Sequence, residues 1–196
     1  MKLLMVRHGC TPGNLEKRYI GVTDEALHKD GIRLLHQRKQ NLPILPTEVY
    51  VSPRIRCRQT AEILFPNVNQ IVVEDFAECD FGLFENKNYE ELSEHPAYKE
   101  FLVSGGESGF PEGETKAEFA SRTCQAFDTL INKIYGKTDS VVLVVHGGTI
   151  MAILERYGVP EKSFYEWHIG NGEGYLGKLM KLPDGSLRIE DLEIYV

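Results

Sequence analysis

The sequence has little positive charge, few cysteines and no long apolar run. Of its 196 residues, 22 are Lys or Arg and 29 are Asp or Glu, so the formal net charge is −7. Such a chain offers no bulk positive field to hold a nucleic-acid backbone or an anionic membrane surface, and we expect neither as a partner. The 18 Gly and 9 Pro are too few for a low-complexity chain, which excludes fibrous or disordered classes.

The cysteines and the first residues exclude further classes. The four cysteines, at positions 10, 57, 79 and 124, lie far apart and form no C-x-x-C pair, so neither a disulfide framework nor a zinc knuckle is predicted. None is followed by Arg six positions later, as a cysteine phosphatase would require. Lys2 precedes only four apolar residues, too few for a signal peptide or a membrane span, so we expect a cytoplasmic protein.

What the sequence does contain is an alternation of strand and helix patterns. The length fits a single domain over 1–196. Short apolar runs rich in β-branched residues predict buried parallel strands at 3–6, 49–51, 71–73 and 141–145. Helical patterns lie at 29–41, 55–64, 89–103, 114–135 and 149–157. We therefore predict an α/β fold with three layers, α/β/α, around a mostly parallel central sheet.

Three local features refine this prediction. The runs 175–182 and 187–194, joined by Pro183-Asp184-Gly185, predict a C-terminal β-hairpin. Ser52-Pro53 favours a helix start, with Ser52 as the capping residue. The segment 76–113 is rich in Gly, Glu and aromatic residues and has weak periodicity, so we expect a small inserted lid there.

Two of the predicted strands end in a histidine followed by glycine. These histidines are His8, after the first strand, and His146, after the strand at 141–145. Because the carboxyl ends of parallel strands share one crevice, the two rings can face each other although they are 138 positions apart. Two independent surface histidines would be the simpler interpretation of either one alone, but the flanking glycines and the adjacent Arg7 favour an anion site.

Arginine side chains supply the charge that such a site needs. Arg7 directly precedes His8, and three more guanidinium groups lie within 54–58. A guanidinium group presents a planar fork of donors that suits phosphoryl oxygens. Residues four apart share a helix face, so Arg54 and Arg58 should lie together while Arg56 turns inward.

Four short blocks carry most of the information about function. In chain order they are Leu4-Met5-Val6-Arg7-His8-Gly9; Ser52-Pro53 with Arg56 and Gln59-Thr60-Ala61; Glu78 before Phe81-Gly82; and Val145-His146-Gly147-Gly148. Together they resemble the histidine phosphatase superfamily, also called phosphoglycerate-mutase-like, from Leu3 to about the end of the chain. The stretch 81–85 resembles the α-ribazole phosphatase branch.

The resemblance implies roles for individual residues. His8 would be the nucleophile, and Arg7, Arg56 and His146 would form the phosphate pocket. Glu78 would be the proton donor. The chain departs from the family pattern at several rim positions, but none of the departures removes a catalytic group.

Further residues are implied in substrate binding. Asn14 would add a hydrogen-bond donor, and Gly21 and Gly147 would belong to the loops around the phosphate. We expect the mouth of the pocket to be ringed by Arg54, Phe81, Phe84, Tyr98, Trp167 and His168.

These residue types suggest a mechanism in two steps. A neutral His8 would attack phosphorus in line and form a phosphohistidine. Glu78 would hold a proton for the leaving alkoxide and later remove one from water, which requires a raised pKa. A protonated His146 would help to balance the phosphoryl charge, so neither a metal nor another cofactor is expected.

We therefore predict a metal-independent phosphomonoesterase, a monomer or homodimer, that acts on a small phosphorylated metabolite. The resemblance makes α-ribazole 5′-phosphate a candidate substrate. Two alternatives stay open. A phosphoglycerate mutase would use the same pocket and return the phosphoryl group to a second substrate, and a non-catalytic regulatory module would only bind phosphate.

Overall fold

A six-stranded sheet between two layers of helices forms the centre of the protein. The computed structural model describes residues 1–106 and 108–196. The strands are β1 (Lys2–Arg7), β2 (Glu48–Val51), β3 (Asn69–Val72), β4 (Ser140–Val145), β5 (Gly174–Lys181) and β6 (Leu187–Tyr195). The helices are α1 (Pro12–Leu15), α2 (Lys29–Arg38), α3 (Ile55–Leu64), α4 (Tyr89–Leu92), α5 (Pro96–Val103), α6 (Lys116–Ile134) and α7 (Gly147–Tyr157).

The sheet has the order β3-β2-β4-β1-β5-β6. Its first four strands are parallel. β5 is antiparallel to β1, and β6 is antiparallel to β5, with which it forms a hairpin. The predicted three-layer α/β/α fold and the C-terminal hairpin are confirmed. Since β1 and β4 are adjacent and parallel, their carboxyl ends meet at one edge of the sheet.

The apolar runs of β1 and β4 follow from burial on both faces of the sheet. Leu3 and Met5 pack in the cluster that contains α6 and α7, while Leu4 and Val6 pack toward α2 and α3. A strand covered on both sides needs an apolar residue at every position. β3 differs, because it lies at the sheet edge and its residues are at least partly exposed, so the prediction of a buried strand at 71–73 was wrong in its burial.

Capping interactions and a glycine determine where the longest helix, α6, begins and ends. The Thr115 side chain accepts from the backbone N–H of Glu118, whose side chain accepts in return from the Thr115 N–H. This reciprocal cap satisfies two donors that the first turn leaves unpaired. Gly136, with φ of 78°, follows the last turn in the left-handed conformation that favours glycine.

The helix predicted over 89–103 is two helices in the structure. α4 ends at Leu92, and α5 starts at Pro96. Proline has no N–H to continue the helical pattern and it restricts the preceding residue, and His95 is accordingly extended with ψ of 125°. The prediction of one continuous helix across this proline was wrong.

The helix start predicted at Ser52-Pro53 is also displaced. α3 begins at Ile55, whose N–H donates to Asp24 Oδ1 at 2.8 Å. Ser52 therefore does not cap the helix, and its hydroxyl lies instead 2.6 Å from His146 Nε2. α7 begins two residues earlier than predicted, at Gly147, so His146 is its N-cap.

The segment 76–113 has a small apolar cluster of its own, formed by Phe84, Leu92, Tyr98 and Phe101. Its role as a lid stays a prediction. Within the described ranges, no helix is long and apolar enough to cross a membrane.

We predict that replacing Phe84 by Ala destabilises this segment strongly. The ring is fully buried and contacts Tyr98 and Phe101 at centroid distances of 5.3 and 5.6 Å. Truncating such a ring removes buried apolar area and leaves a cavity, so the free energy of unfolding in urea should fall by about 3–5 kcal/mol. Tyr89→Ala, at a side chain that is 53% exposed in the same segment, is the control and should change it little. Equal effects of the two changes would contradict the assignment of Phe84 to the centre of the cluster.

Candidate active site

The parallel pairing of β1 and β4 brings two buried histidines together. Arg7 is aligned with Val145, so the next residues of both strands lie side by side. The His8 N–H donates to the Val145 carbonyl at 2.9 Å. The two rings lie 5.2 Å apart between centroids at 69°, and both residues are buried.

The structure identifies the partner that orients His8. Its Nδ1 lies 2.7 Å from the Gly9 carbonyl oxygen, which can only accept a hydrogen bond. Nδ1 therefore carries the proton, and the lone pair is on Nε2. Burial, and then the charges of Arg56 and Arg7, hold the pKa of His8 well below its ordinary value. The ring is thus a neutral imidazole with one free nitrogen, as a nucleophile requires.

His146 is held by Ser52, which precedes α3, and by Cys57 within α3. Its Nε2 lies 2.6 Å from Ser52 Oγ, and Cys57 Sγ lies 3.6 Å from the same nitrogen. Burial and the charge of Arg56 hold the pKa of His146 well below its ordinary value. The protein alone therefore does not supply the protonated imidazole expected from the sequence; a bound phosphoryl dianion would raise this pKa by its own charge.

Arg56 is fully buried and fixed by backbone carbonyls. Its Nη1 donates to Thr23 O at 2.7 Å, and its Nη2 donates to Ile20 O at 3.2 Å and Gly21 O at 3.1 Å. Arg56 turns inward while Arg58 is exposed, as their spacing on the helix predicts. The prediction that Arg54 shares a helix face with Arg58 was wrong, because Arg54 precedes α3 with extended backbone and its Nε is buried.

Arg7 is anchored on the other side of the crevice. Its Nη1 donates to Ile169 O at 2.6 Å and lies 3.5 Å from His168 Nε2. Burial lowers the pKa of Arg7, with the charge of Glu78 acting in the opposite direction. Gly147, at the first position of α7, lets the Arg7 side chain approach, since a Cβ there would lie 3.3 Å from Arg7 Nε.

Three guanidinium groups each have one N–H donor without a hydrogen-bond partner among the described residues. Among the described residues, the buried Nε atoms of Arg7, Arg54 and Arg56 have no hydrogen-bond partner. Buried donors are almost always paired in folded proteins, so three unpaired donors with positive charge near two histidines fit a bound anion that accepts from them.

Gly21 and Asn14 act behind this pocket. A Cβ on Gly21 would lie 1.8 Å from the Cys79 carbonyl oxygen, so only glycine permits this contact. Asn14 Oδ1 accepts from Asn171 Nδ2 at 2.9 Å, and the same Nδ2 lies 3.3 Å from the His8 carbonyl. The structure therefore shows Gly21 supporting Arg56 and Asn14 supporting the loop after His8; their predicted contacts with substrate stay a prediction.

The carboxyl group of Glu78 contacts the first turn of α7, where glycine leaves room for it. Its Oε2 accepts from the Gly148 N–H at 3.2 Å, and its Oε1 accepts from the Cys79 N–H at 3.0 Å. A Cβ on Gly148 would lie 2.3 Å from Glu78 Oε1. Burial raises the pKa of Glu78. The two N–H donors and the charges of Arg56 and Arg7 lower it, but burial has the larger effect. A raised pKa is the property that a carboxylic proton donor needs.

A cavity of about 300 Å³ opens from this site, and we call it the leaving-group chamber. Arg7, Glu78, Gly147, Gly148 and His168 border it on the catalytic side. Aromatic side chains provide most of its other wall, among them Tyr19, Phe81, Phe101, Phe110, Phe119 and Phe164.

The predicted pocket rim needs correction at three aromatic residues. Trp167 is 1% exposed and packs against Tyr175 with ring centroids 5.6 Å apart, so it belongs to the core and does not line the pocket. Phe84 and Tyr98 are buried inside the segment 76–113. These residues face inward because their neighbours supply apolar surface on every side, which a position in sequence does not show.

Sequence reasoning missed several residues of the site. Ser52 and Cys57 flank His146, Asn171 ties two loops together, and Lys116 lines the chamber. Only Ser52 had a local signal, and that signal predicts a helix cap. In residues 1–106 and 108–196, no three His, Cys, Asp or Glu side chains are grouped as metal ligands would be.

Comparison with known sequences finds one family. Residues 3–177 match the sequence profile of the histidine phosphatase superfamily (branch 1). The probable phosphoglycerate mutase GpmB of Erwinia tasmaniensis is 33% identical over 159 residues, which cover 79% of this chain and 73% of that protein. The protein of the same name from Yersinia pestis (strain Pestoides F) is 31% identical over 161 residues, with the same shares.

Solved structures agree with this match. The α-ribazole phosphatase from Shigella flexneri superimposes with a TM-score of 0.81 at 19% identity, covering 97% of this chain and 95% of that one. The phosphoglycerate mutase from Thermus thermophilus superimposes with a TM-score of 0.70 at 28% identity, covering 98% of both chains. At its low identity, the first likeness is one of fold alone.

The lowered pKa values of His8 and His146 predict how stability depends on pH. The folded protein keeps both rings neutral, whereas the unfolded chain protonates them below the ordinary value of 6.5. Unfolding therefore takes up protons, and each histidine should lower the free energy of unfolding by up to about 1.4 kcal/mol per pH unit below that value. Urea unfolding between pH 7.5 and 5 would measure the slope.

Variants separate these two histidines from other titrating groups. His8→Asn and His146→Asn should each flatten the slope, while His36→Asn, at an exposed position of α2, should leave it unchanged. The same slope in all three variants would contradict the burial of neutral imidazoles in the site.

Proposed function

Because the chain belongs to the histidine phosphatase superfamily (branch 1), we propose that it is a metal-independent phosphomonoesterase that forms a phosphohistidine on His8. One observation carries the proposal more than any other. The buried Nε donors of Arg7, Arg54 and Arg56 lack partners among the described residues, next to an imidazole whose Nε2 is free. A phosphoryl group supplies the oxygens that such donors need.

The first step transfers the phosphoryl group to the enzyme. His8 Nε2 attacks phosphorus, the P–O ester bond breaks, and Glu78 gives its proton to the departing alkoxide oxygen. The ring gains positive charge as the new P–N bond forms, and the hydrogen bond from Nδ1 to the Gly9 carbonyl stabilises that charge. The guanidinium groups are already aligned, so they stabilise the phosphoryl charge without reorganisation.

The second step returns the enzyme to its starting state. Glu78, now a carboxylate, removes a proton from water, whose oxygen attacks phosphorus and breaks the P–N bond. Inorganic phosphate leaves, His8 is again neutral, and Glu78 again holds a proton. The same carboxyl group thus acts as acid and then as base, as microscopic reversibility requires.

The substrate we propose is a small-molecule phosphomonoester. α-Ribazole 5′-phosphate is the candidate that the resemblance at 81–85 and the apolar chamber support. Phosphoglycerate mutase activity is the second candidate, because relatives of 31–33% identity carry that name. The two activities differ in whether water or a second substrate receives the phosphoryl group.

We predict that turnover passes through phosphorylated His8. Rapid quenching with a ³²P-labelled phosphomonoester should trap an acid-labile phosphoenzyme, and His8→Ala should abolish the label. His36→Ala is the matched control at an exposed histidine. Inorganic phosphate should still be released when 3-phosphoglycerate is present as an alternative phosphoryl acceptor. It should also be released in EDTA, because the proposed reaction needs no metal. A label that survives His8→Ala would refute the proposed nucleophile, and a requirement for a bisphosphorylated donor would favour the mutase.

We predict that Glu78→Gln affects substrates according to their leaving groups. An alkyl phosphate needs a proton on its departing oxygen, so its phosphorylation step should slow by about a hundredfold or more. The nitrophenolate of p-nitrophenyl phosphate leaves without one, and its phosphorylation step should slow far less. Glu74→Gln, at an exposed carboxylate four residues before Glu78, is the control. Stopped-flow or quenched-flow measurement of this step decides the matter, and equal losses for both substrates would exclude Glu78 as the proton donor.

A further inference from the structure

The residues that line the leaving-group chamber indicate which kind of alcohol the substrate carries. It lies beside Arg7 and Glu78, so the group released in the first step would occupy it. Phe81 and Phe110 face it with ring centroids 4.9 Å apart in an edge-to-face arrangement. Such walls favour a flat apolar group, because a ring can stack on them and displace water.

The chamber also contains one cation that the chemistry does not use. Among the described residues that line it, the permanently charged cationic side chains are Arg7 and Lys116. Arg7 faces the phosphoryl group in the proposed mechanism. Lys116 is the first residue of α6, and its Nζ lies 4.8 Å from the centre of the Phe164 ring. Without an ion-pair partner, Lys116 would attract a second negative charge on the substrate.

Glu155 lies where its charge would weaken this attraction. Its Oε1 lies 3.2 Å from Lys116 Nζ and accepts from the Phe164 N–H at 3.1 Å. One carboxylate oxygen thus holds both the lysine and the backbone of an aromatic wall residue. The two side chains are 35% and 34% exposed, so solvent screens the pair and its effect on a ligand should be modest.

We propose that the site selects phosphomonoesters whose alcohol carries an uncharged ring, an inference that rests on the proposed function. Glu155 determines this specificity by neutralising the charge of Lys116. Phosphoglycerate, with a carboxylate and little apolar surface, is the type of substrate that this arrangement disfavours. An aromatic alcohol gains contact with Phe81 and Phe110 and needs no further cation.

Three alkyl phosphates of similar reactivity test the proposal: benzyl phosphate, ethyl phosphate and 4-carboxybenzyl phosphate. In the wild-type protein, kcat/KM for benzyl phosphate should exceed that for ethyl phosphate at least about tenfold, since stacking adds to the area buried. It should also exceed kcat/KM for 4-carboxybenzyl phosphate. No preference for benzyl over ethyl phosphate would overturn the assignment of the chamber.

Substitutions test the role of Glu155. Glu155→Gln keeps an oxygen for the Phe164 N–H and removes the charge, so kcat/KM for 4-carboxybenzyl phosphate relative to benzyl phosphate should rise about two- to fivefold. The rise should disappear in 1 M NaCl and when Lys116→Gln is added. Glu193→Gln, an exposed carboxylate of β6, is the charge-matched control and should not alter the ratio.

The outcomes distinguish this inference from the function on which it rests. If His8 is labelled by all three substrates and Glu155→Gln leaves the ratio unchanged, the inference about Glu155 is wrong and the phosphatase stands. If His8 is labelled by none of them, the proposed function fails as well.

Discussion

The burial of the Arg56 guanidinium group is the constraint on which the rest of the site depends. A charged group without exposure to water needs hydrogen-bond partners, and the carbonyls of Ile20, Gly21 and Thr23 pair the two Nη atoms of Arg56, while its Nε has no partner among the described residues. This requires the loop at 20–23 to run against α3, and the side chain of Glu85 holds it there by accepting from the backbone of Gly21 and Thr23. The buried Arg56 therefore determines how the loop at 20–23 packs against the proposed phosphate pocket.

The same burial acts in opposite directions on the acid and on the histidines. Removal from water disfavours a charge of either sign, so it raises the pKa of Glu78 and lowers those of His8 and His146. The charge of Arg56 opposes the first shift and adds to the other two. A raised pKa at the carboxyl group and lowered pKa values at the imidazoles both favour the protonation states that the proposed first step needs.

In the proposed function, phosphate recognition and recognition of the alcohol come from different parts of the chain. The phosphate pocket uses residues at the carboxyl ends of β1 and β4 and the start of α3, whereas the chamber is walled mainly by the segment 76–113 and by residues of α6, α7 and the loop after α7. The name of a relative describes the whole reaction, but the parts that choose its substrate can change without disturbing the sheet. Lys116 and Glu155 lie in this second part, outside the four family motifs.

The sequence by itself determined the layered sheet and the meeting of His8 with His146, because buried parallel strands require continuous apolar runs and end at a common edge. It also determined that Arg56 turns inward while Arg58 is exposed, since the two are separated by about half a helical turn. Only the tertiary structure decided that Ser52 orients His146, that Trp167 belongs to the core and that Glu155 pairs with Lys116. Each of these depends on how a loop or a long side chain is rotated after the elements have packed, and local periodicity carries no record of that rotation.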